Sequence, residues 1–339
     1  MAVSSNDTIT AAQFNNLQSR IAQVLGTGSG GFGYGQNVNS SQVFALQDSN
    51  IPDGDTVLAA QFNDLRADMN AAYTHQNGSQ IPIGEFAVGD IVGADQSGTD
   101  LVRDGDNFIF ANSDSSKGFN DLLNEMTDIE NNRFVIDASQ QQIEVRAADE
   151  RTTNWNGTII SEFTASFANA AARRHFFNAA GQVRISGTVD LSTSTGDSQD
   201  RDEGWSDLIE NPGEIQFDYN STTITGSSTG VTFPDGVIGN DSLTSSFQEI
   251  FKKDANGGVY GDSYWKIDAR LDSSSVIRFR ITLVDDGPES NPDEGVPGGI
   301  EPGVTEPVTA DLEFEYSARR ANGSVFVDFP AYIITNTFE

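Results

Sequence analysis

From Trp155 onward, short runs of alternating or β-rich residues recur between turn signals, and this pattern most constrains the fold. The runs are Ile159–Phe167, Gln182–Val189, Glu214–Thr225, Tyr264–Leu271, Val276–Val284, Ala310–Ala318 and Val325–Ile334. A period of two sorts side chains onto opposite faces of a strand. Several such strands with turns between them predict a C-terminal antiparallel β-sandwich of jelly-roll or immunoglobulin-like type. Asp285–Pro307, rich in Pro, Gly and acids, reads as a long exposed loop between two of these strands.

The N-terminal part carries a different signal, an internal repeat. Asp7–Leu17 recurs as Asp55–Leu65, each copy containing Ala-Ala-Gln-Phe-Asn. Asp or Thr supplies a helix cap, and Ala, Gln and Leu sustain the helix. Phe14, Leu17, Ile21 and Val24 form one apolar stripe, and Phe62, Leu65, Met69 and Tyr73 the other. Helices over Thr8–Leu25 and Thr56–Tyr73 are predicted, docking on each other or on a neighbouring subunit. Phe14, Leu17, Phe62 and Leu65 are therefore candidate assembly-interface residues.

Between these regions the pattern is mixed. Ile81–Ile91, Asn107–Ala111, Phe134–Asp137 and Ile143–Arg146 have strand character. Phe119, Leu122, Leu123, Met126 and Ile129 predict a helix after Ser115 and Ser116. The expected class is α+β, mainly β. Its expected regions are helical residues 1–80, a small α+β region 81–150 and a β-sandwich 151–339.

The charge narrows the partners. With 19 Lys and Arg against 50 Asp and Glu, the net charge is −31. Phosphate backbones and anionic membranes are repelled by such a chain, so neither nucleic acid nor membrane insertion is expected. The chain has no cysteine, which excludes disulfides and thiolate chemistry. Met1–Thr10 lacks the apolar core of a signal peptide, and synthesis in a cytoplasm is the expectation.

Candidate chemistry is sparse. The two histidines, His75 and His175, come without a nucleophile or ligand cluster. Gly26, Gly28 and Gly31 match G-x-G-x-x-G, but after a helix and before a polar loop, which is the wrong context for a dinucleotide. Asp254, Asn256 and Asp262 place oxygens at alternating loop positions suited to calcium, and Asp200 and Asp202 form a weaker pattern. No other cofactor is expected. Trp205, Tyr260, Tyr264 and Trp265 are aromatics suited to a glycan groove, but Trp205 and Trp265 read as anchors of the sandwich core in preference to it. Arg173–Ser186 reads as a β-hairpin, with Phe176 and Phe177 closing one strand and Asn178–Gly181 turning the chain.

Several ordered pieces resemble virion structural proteins of tailed phages that infect marine bacteria, cyanophages among them. They are Gly33-Tyr34-Gly35-Gln36, His75-Gln76-Asn77-Gly78, the double-Phe segment Arg173–Ser186, and Trp205 with Leu208, Ile209, Gly213, Ile215 and Phe217. Leu243, Phe247, Ile250 and Phe251, then Tyr260, Tyr264, Ile267, Phe279, Ile281, Leu283 and Asp285, continue the likeness. The Pro-Gly sequence after Asp285 departs from the family's pattern. The resemblance implies a non-enzymatic tail, neck or baseplate component of the virion. Its partners would be itself, as a trimer or hexamer, and other virion proteins. Phe176 and Phe177 then join the candidate interface. Alternatives are an appendage binding a receptor or host surface glycan, with calcium, and a polysaccharide hydrolase.

Overall fold

A computed structural model describes residues 9–26, 33–43, 58–86, 101–104, 107–110, 118–195, 199–255, 262–286 and 307–338. The chain is α+β and mainly β. Its helices are α1 (Ala11–Val24), α2 (Ala59–Asn77), α3 (Phe119–Asn131), α4 (Ala170–Asn178) and α5 (Gln199–Glu210). Its strands are β1 (Leu101–Asp104), β2 (Asn107–Phe110), β3 (Gln141–Arg151), β4 (Gly157–Ser166), β5 (Gln182–Asp190), β6 (Ile215–Phe217) and β7 (Thr222–Ile224). They continue with β8 (Val231–Thr232), β9 (Gln248–Asp254), β10 (Tyr264–Ser273), β11 (Val276–Asp285), β12 (Asp311–Ala321) and β13 (Ala331–Asn336). Contacts divide the chain into two units. One is Met1–Gln141 with Arg174–Ala180 and Ala321–Val327; the other is Gln142–Arg173 with Gly181–Arg320 and Asp328–Glu339. These units do not coincide with the three regions 1–80, 81–150 and 151–339, since the first takes in residues 1–141 together with two short segments from later in the chain.

The first unit is built on the repeat. Thr10 caps α1, its hydroxyl accepting from the Gln13 N–H while Gln13 accepts from the Thr10 N–H. At the equivalent point of α2 stands Leu58, so only the glutamine half of the box remains, Gln61 accepting from the Leu58 N–H. The equivalent rings Phe14 and Phe62 meet edge to face, centroids 5.3 Å apart. Phe14, Leu17, Ile21, Phe62, Leu65 and Met69 are all buried, and α3 brings Phe119, Leu122, Met126 and Ile129 into the same unit. The α2 stripe runs on through Ala72, with Tyr73 only half-buried.

The repeat extends beyond the helices. Asn15 holds Val43 through both its amide groups, at 2.6 and 2.7 Å. Asn63, its equivalent, holds Phe86 the same way at 2.8 Å. One turn on, Gln18 donates to the Ser40 carbonyl and Arg66 to the Ile83 carbonyl. Each copy is thus a helix with a following extended arm, and the helix side chains satisfy backbone groups that have no ladder partner. This is why Ile81–Phe86 forms no strand despite its strand character. Phe134–Asp137 is likewise turn and loop. The Ser115 and Ser116 cap positions lie outside the described residues, and Gly118 is the N-cap of α3.

The second unit is a two-sheet sandwich. One sheet has the order β13-β4-β11-β10-β9-β8 and the other β3-β12-β5-β6-β7. β4 pairs with β11 antiparallel along its whole length, from Gly157 opposite Asp285 to Ser166 opposite Val276. Inward aromatics stitch the layers, with Phe163 stacked on Tyr316 at 4.1 Å and Phe217 edge-on to Phe279 at 5.4 Å. Trp265 is fully buried, and its indole N–H donates to the Leu208 carbonyl of α5 at 2.8 Å.

Arg173–Ser186 is not a hairpin. It is the end of α4, a turn and the start of β5. Asn169 Oδ1 accepts from the Ala172 N–H at 2.9 Å, capping a helix that opens on three alanines. Capping and alanine propensity together outweigh the strand preference of two adjacent phenylalanines. Replacing exposed Leu58 by Thr restores the missing half of the α2 capping box. Leu58→Thr should raise the unfolding free energy by about 1 kcal/mol in chemical denaturation.

Candidate functional site

Three segments far apart in sequence meet inside the first unit. Gly78 ends α2 in the left-handed conformation, φ 69°, and leaves His75 and Gln76 in the last turn, both buried. The arm after α1 turns back on that helix, Tyr34 N–H donating to Val24 O at 2.7 Å. Its Tyr34 ring stands edge-on to His75 at 5.1 Å. The Tyr34 hydroxyl donates to the Arg133 carbonyl at 2.7 Å and accepts from Gln76 Nε2 at 2.9 Å. Gln76 also reaches the Ile129 carbonyl. Gly35, φ 72°, passes so close to the His175 imidazole that a β-carbon there would collide with it. Asn178 donates to the Gly33 carbonyl at 3.4 Å.

The electrostatics of this junction are those of desolvation. Burial pushes the His75 imidazole down to about 4, opposed by a smaller pull from the backbone of Ala179. Burial lowers His175 too, and the Arg174 guanidinium adds to it. Burial raises Tyr34 well above its ordinary value, offset in part by the Gln76 hydrogen bond. Both imidazoles are therefore neutral at pH 7, and the tyrosine is a neutral donor. These groups fix the arm, the end of α2 and the end of α4 to one another.

The second unit has a corresponding cluster built on α5. Arg201 and Asp285 form a fully buried ion pair, Nη2 to Oδ2 at 2.5 Å, and Nε donates to Oδ1 at 3.1 Å. The indole of Trp205 and the hydroxyl of Ser263 also point at Asp285 Oδ1, each at 3.4 Å. Next to it Asp202, fully buried, accepts from Thr309 N–H and Oγ1 at 2.8 and 2.7 Å, from Ala310 N–H at 3.1 Å and from Ser194 Oγ at 2.5 Å. Asp285 ends β11, and Thr309–Ala310 leads into β12. One helix thus grips the chain on both sides of the Pro- and Gly-rich stretch, of which residues 287–306 lie outside the described residues. Trp155 stacks edge-on against Trp205 at 4.8 Å and pairs its backbone with Val308.

The residues singled out from sequence fall as follows. Phe14, Leu17, Phe62, Leu65, Phe176 and Phe177 are all buried within the first unit, at 5 % exposure or less. Phe176 and Phe177 pack edge to face on each other at 5.0 Å. Asp254 ends β9 and pairs with Lys252 at 2.6 Å; Asp262 precedes β10, and Asn256 lies outside the described residues. Asp202 sits in helix α5 and not in a loop, and the side chain of Asp200 is outside the description. Among the described residues no three His, Cys, Asp or Glu side chains gather as metal ligands. Trp205 and Trp265 are core, as their size favours; Tyr260 is outside the described residues.

Sequence reasoning missed Asp68 altogether, and the buried roles of Asp202 and Asp285. A signal existed for the first. Asp68 adjoins Met69 on the buried side of α2, and an acid there needs a partner. It finds four donors, the N–H groups of Asn39 and Ser40, the Asn39 amide and the Ser40 hydroxyl, at 2.6 to 3.1 Å. Comparison with protein-family models, curated proteins and solved structures finds no match to this chain.

Two outcomes test these clusters. A histidine whose folded value lies below its unfolded value of 6.5 contributes stability that is complete above pH 6.5 and is lost as pH falls toward 4. Denaturation at pH 7 and pH 4 should differ by about 3 kcal/mol from this group, and a His75→Gln variant should lose that part of the pH slope. Asp285→Asn leaves the Arg201 charge buried without its counter-ion and should cost about 3–5 kcal/mol by the same measurement at pH 7.

Proposed function

We propose that this chain is a non-enzymatic structural component of a tailed-phage virion, made in the host cytoplasm and assembled into the tail, neck or baseplate. The observation that carries the reading is what the buried polar groups do. Asp68, Asp202, Asp285 and Tyr34 each hold backbone or a counter-ion, and His75 lies in a desolvated packing contact. Such chemistry serves a rigid building block. The Gly33–Gln36, His75–Gly78 and double-Phe pieces, three of those on which the resemblance to virion proteins rests, include the groups that form the junction of the first unit. Three separated motifs that pack on one another are what a shared fold retains. A net charge of −31 keeps such a subunit soluble before assembly.

Peptide mass spectrometry of purified particles from the source of the chain tests the proposal. The chain should appear in the particles at a fixed ratio to the other structural proteins. Its absence from purified particles overturns the virion reading. Glycan binding by the isolated chain that chelator abolishes would favour the receptor-binding alternative.

A further inference from the structure

Among the described residues the sandwich has two short outer strands and two longer ones. β7 has 3 residues and β8 has 2, lengths that offer little edge to a partner. β13 has 6 residues and a register shift between Ile334 and Asn336, which disturbs its ladder. β3 is different. It runs for 11 residues, contains neither Pro nor Lys, and within the described residues has a sheet neighbour, β12, on one side only. Ile143 and Val145 stand two residues apart on it, 49 % and 52 % exposed. Side chains at that spacing share one face of a strand. A long open edge with exposed β-branched residues is a template for strand addition.

We propose that β3 pairs antiparallel with β3 of a second copy, about a two-fold axis through Val145. The sequence Gln-Gln-Ile-Glu-Val-Arg-Ala-Ala-Asp selects that register. With Val145 on the axis, Glu144 lies opposite the partner subunit's Arg146, and the same unlike pair recurs on the other side of the axis. Ile143 lies opposite the partner subunit's Ala147, and Gln142 opposite the partner subunit's Ala148. Directly opposed unlike charges and apolar pairs both stabilise an antiparallel ladder. Moving the axis one residue either way opposes Glu144 to Glu144 or Arg146 to Arg146, and like charges in that position are destabilising. Arg146 and Glu144 already pair within one chain at 2.5 Å, both partly exposed, and the Arg146 guanidinium also lies over the Phe329 ring at 5.2 Å, so a second copy competes with these contacts for the pair. The occupant is a second copy because the edge is complementary to itself, the condition for an isologous interface. Such an axis is absent from a ring of three and present in a hexamer of dihedral symmetry. The pairing goes beyond the virion reading, since it holds whatever the particle or role.

The chain lacks cysteine, which gives a clean test. In the full-length protein, Val145→Cys brings two thiols together across the axis, and oxidation should yield a covalent dimer. Val237→Cys, at a position 62 % exposed elsewhere in the sandwich, should crosslink at least about tenfold more slowly. In sedimentation velocity the unmodified protein should self-associate, more strongly as salt screens the repulsion between two acidic chains. Glu144→Arg should weaken association, and the double exchange Glu144→Arg with Arg146→Glu should restore it. A monomer at high micromolar concentration in high salt overturns the proposal. So does crosslinking at Val145 no faster than at Val237. An oligomer insensitive to Glu144→Arg overturns this interface and leaves assembly by another surface standing. Absence from purified particles overturns the virion reading and leaves the dimer standing.

Discussion

A carboxylate taken out of water must be paired or hydrogen-bonded, at a penalty of several kcal/mol if it is not. This chain carries 50 acids and places several of them fully inside. Asp285 meets Arg201, Asp202 collects backbone and hydroxyl donors from Ser194, Thr309 and Ala310, and Asp68 collects them from Asn39 and Ser40. Asp68 and Asp202 fix stretches of chain that have no ladder of their own, and Asp285 ties the end of β11 to α5. In the second unit, Asp202 and Asp285 hold the two ends of the acidic Pro-Gly stretch against one helix, which sets where β11 ends and β12 begins. In the first unit Asp68 holds the arm that carries Tyr34.

The repeat shows the same economy of means with neutral groups. A repeated Ala-Ala-Gln-Phe-Asn segment gives each helix a glutamine for its first turn, a phenylalanine for its partner helix and an asparagine for its own arm. The copies differ where function of the side chain differs. Thr10 caps and Leu58 does not; Gln18 and Arg66 reach equivalent carbonyls with different donors. Because the apolar stripes of both helices close on each other and on α3, their hydrophobic surface is consumed within the unit. On β3, by contrast, Ile143 and Val145 remain exposed.

Local patterns in the sequence determined much of this protein. Alternation after Trp155 specified strands and their inward faces, since period two needs no knowledge of the neighbours. The 48-residue offset specified two like helices, and the stripe Phe119–Ile129 specified α3. In some segments local signals compete. At Arg173–Ser186 adjacent phenylalanines suggested a strand, while Asn169 and three alanines had already committed the chain to α4. Phe134–Asp137 has strand composition and, among the described residues, no strand to pair with.

Only the tertiary structure decided what the polar residues do. Tyr34, His75 and His175 stand far apart in sequence with nothing local to join them, and become one desolvated junction because a glycine at Gly35 lets the arm pass the His175 imidazole. Nothing in the order of residues joins Asp202 to Thr309, or Arg201 to Asp285, since hydrogen bonding across such separations depends on where sheets and helices come to lie. The sequence settled which segments are helix and strand wherever one period dominated. The fold settled which charges are buried and what they hold, because desolvation is a property of surroundings and not of the residue itself.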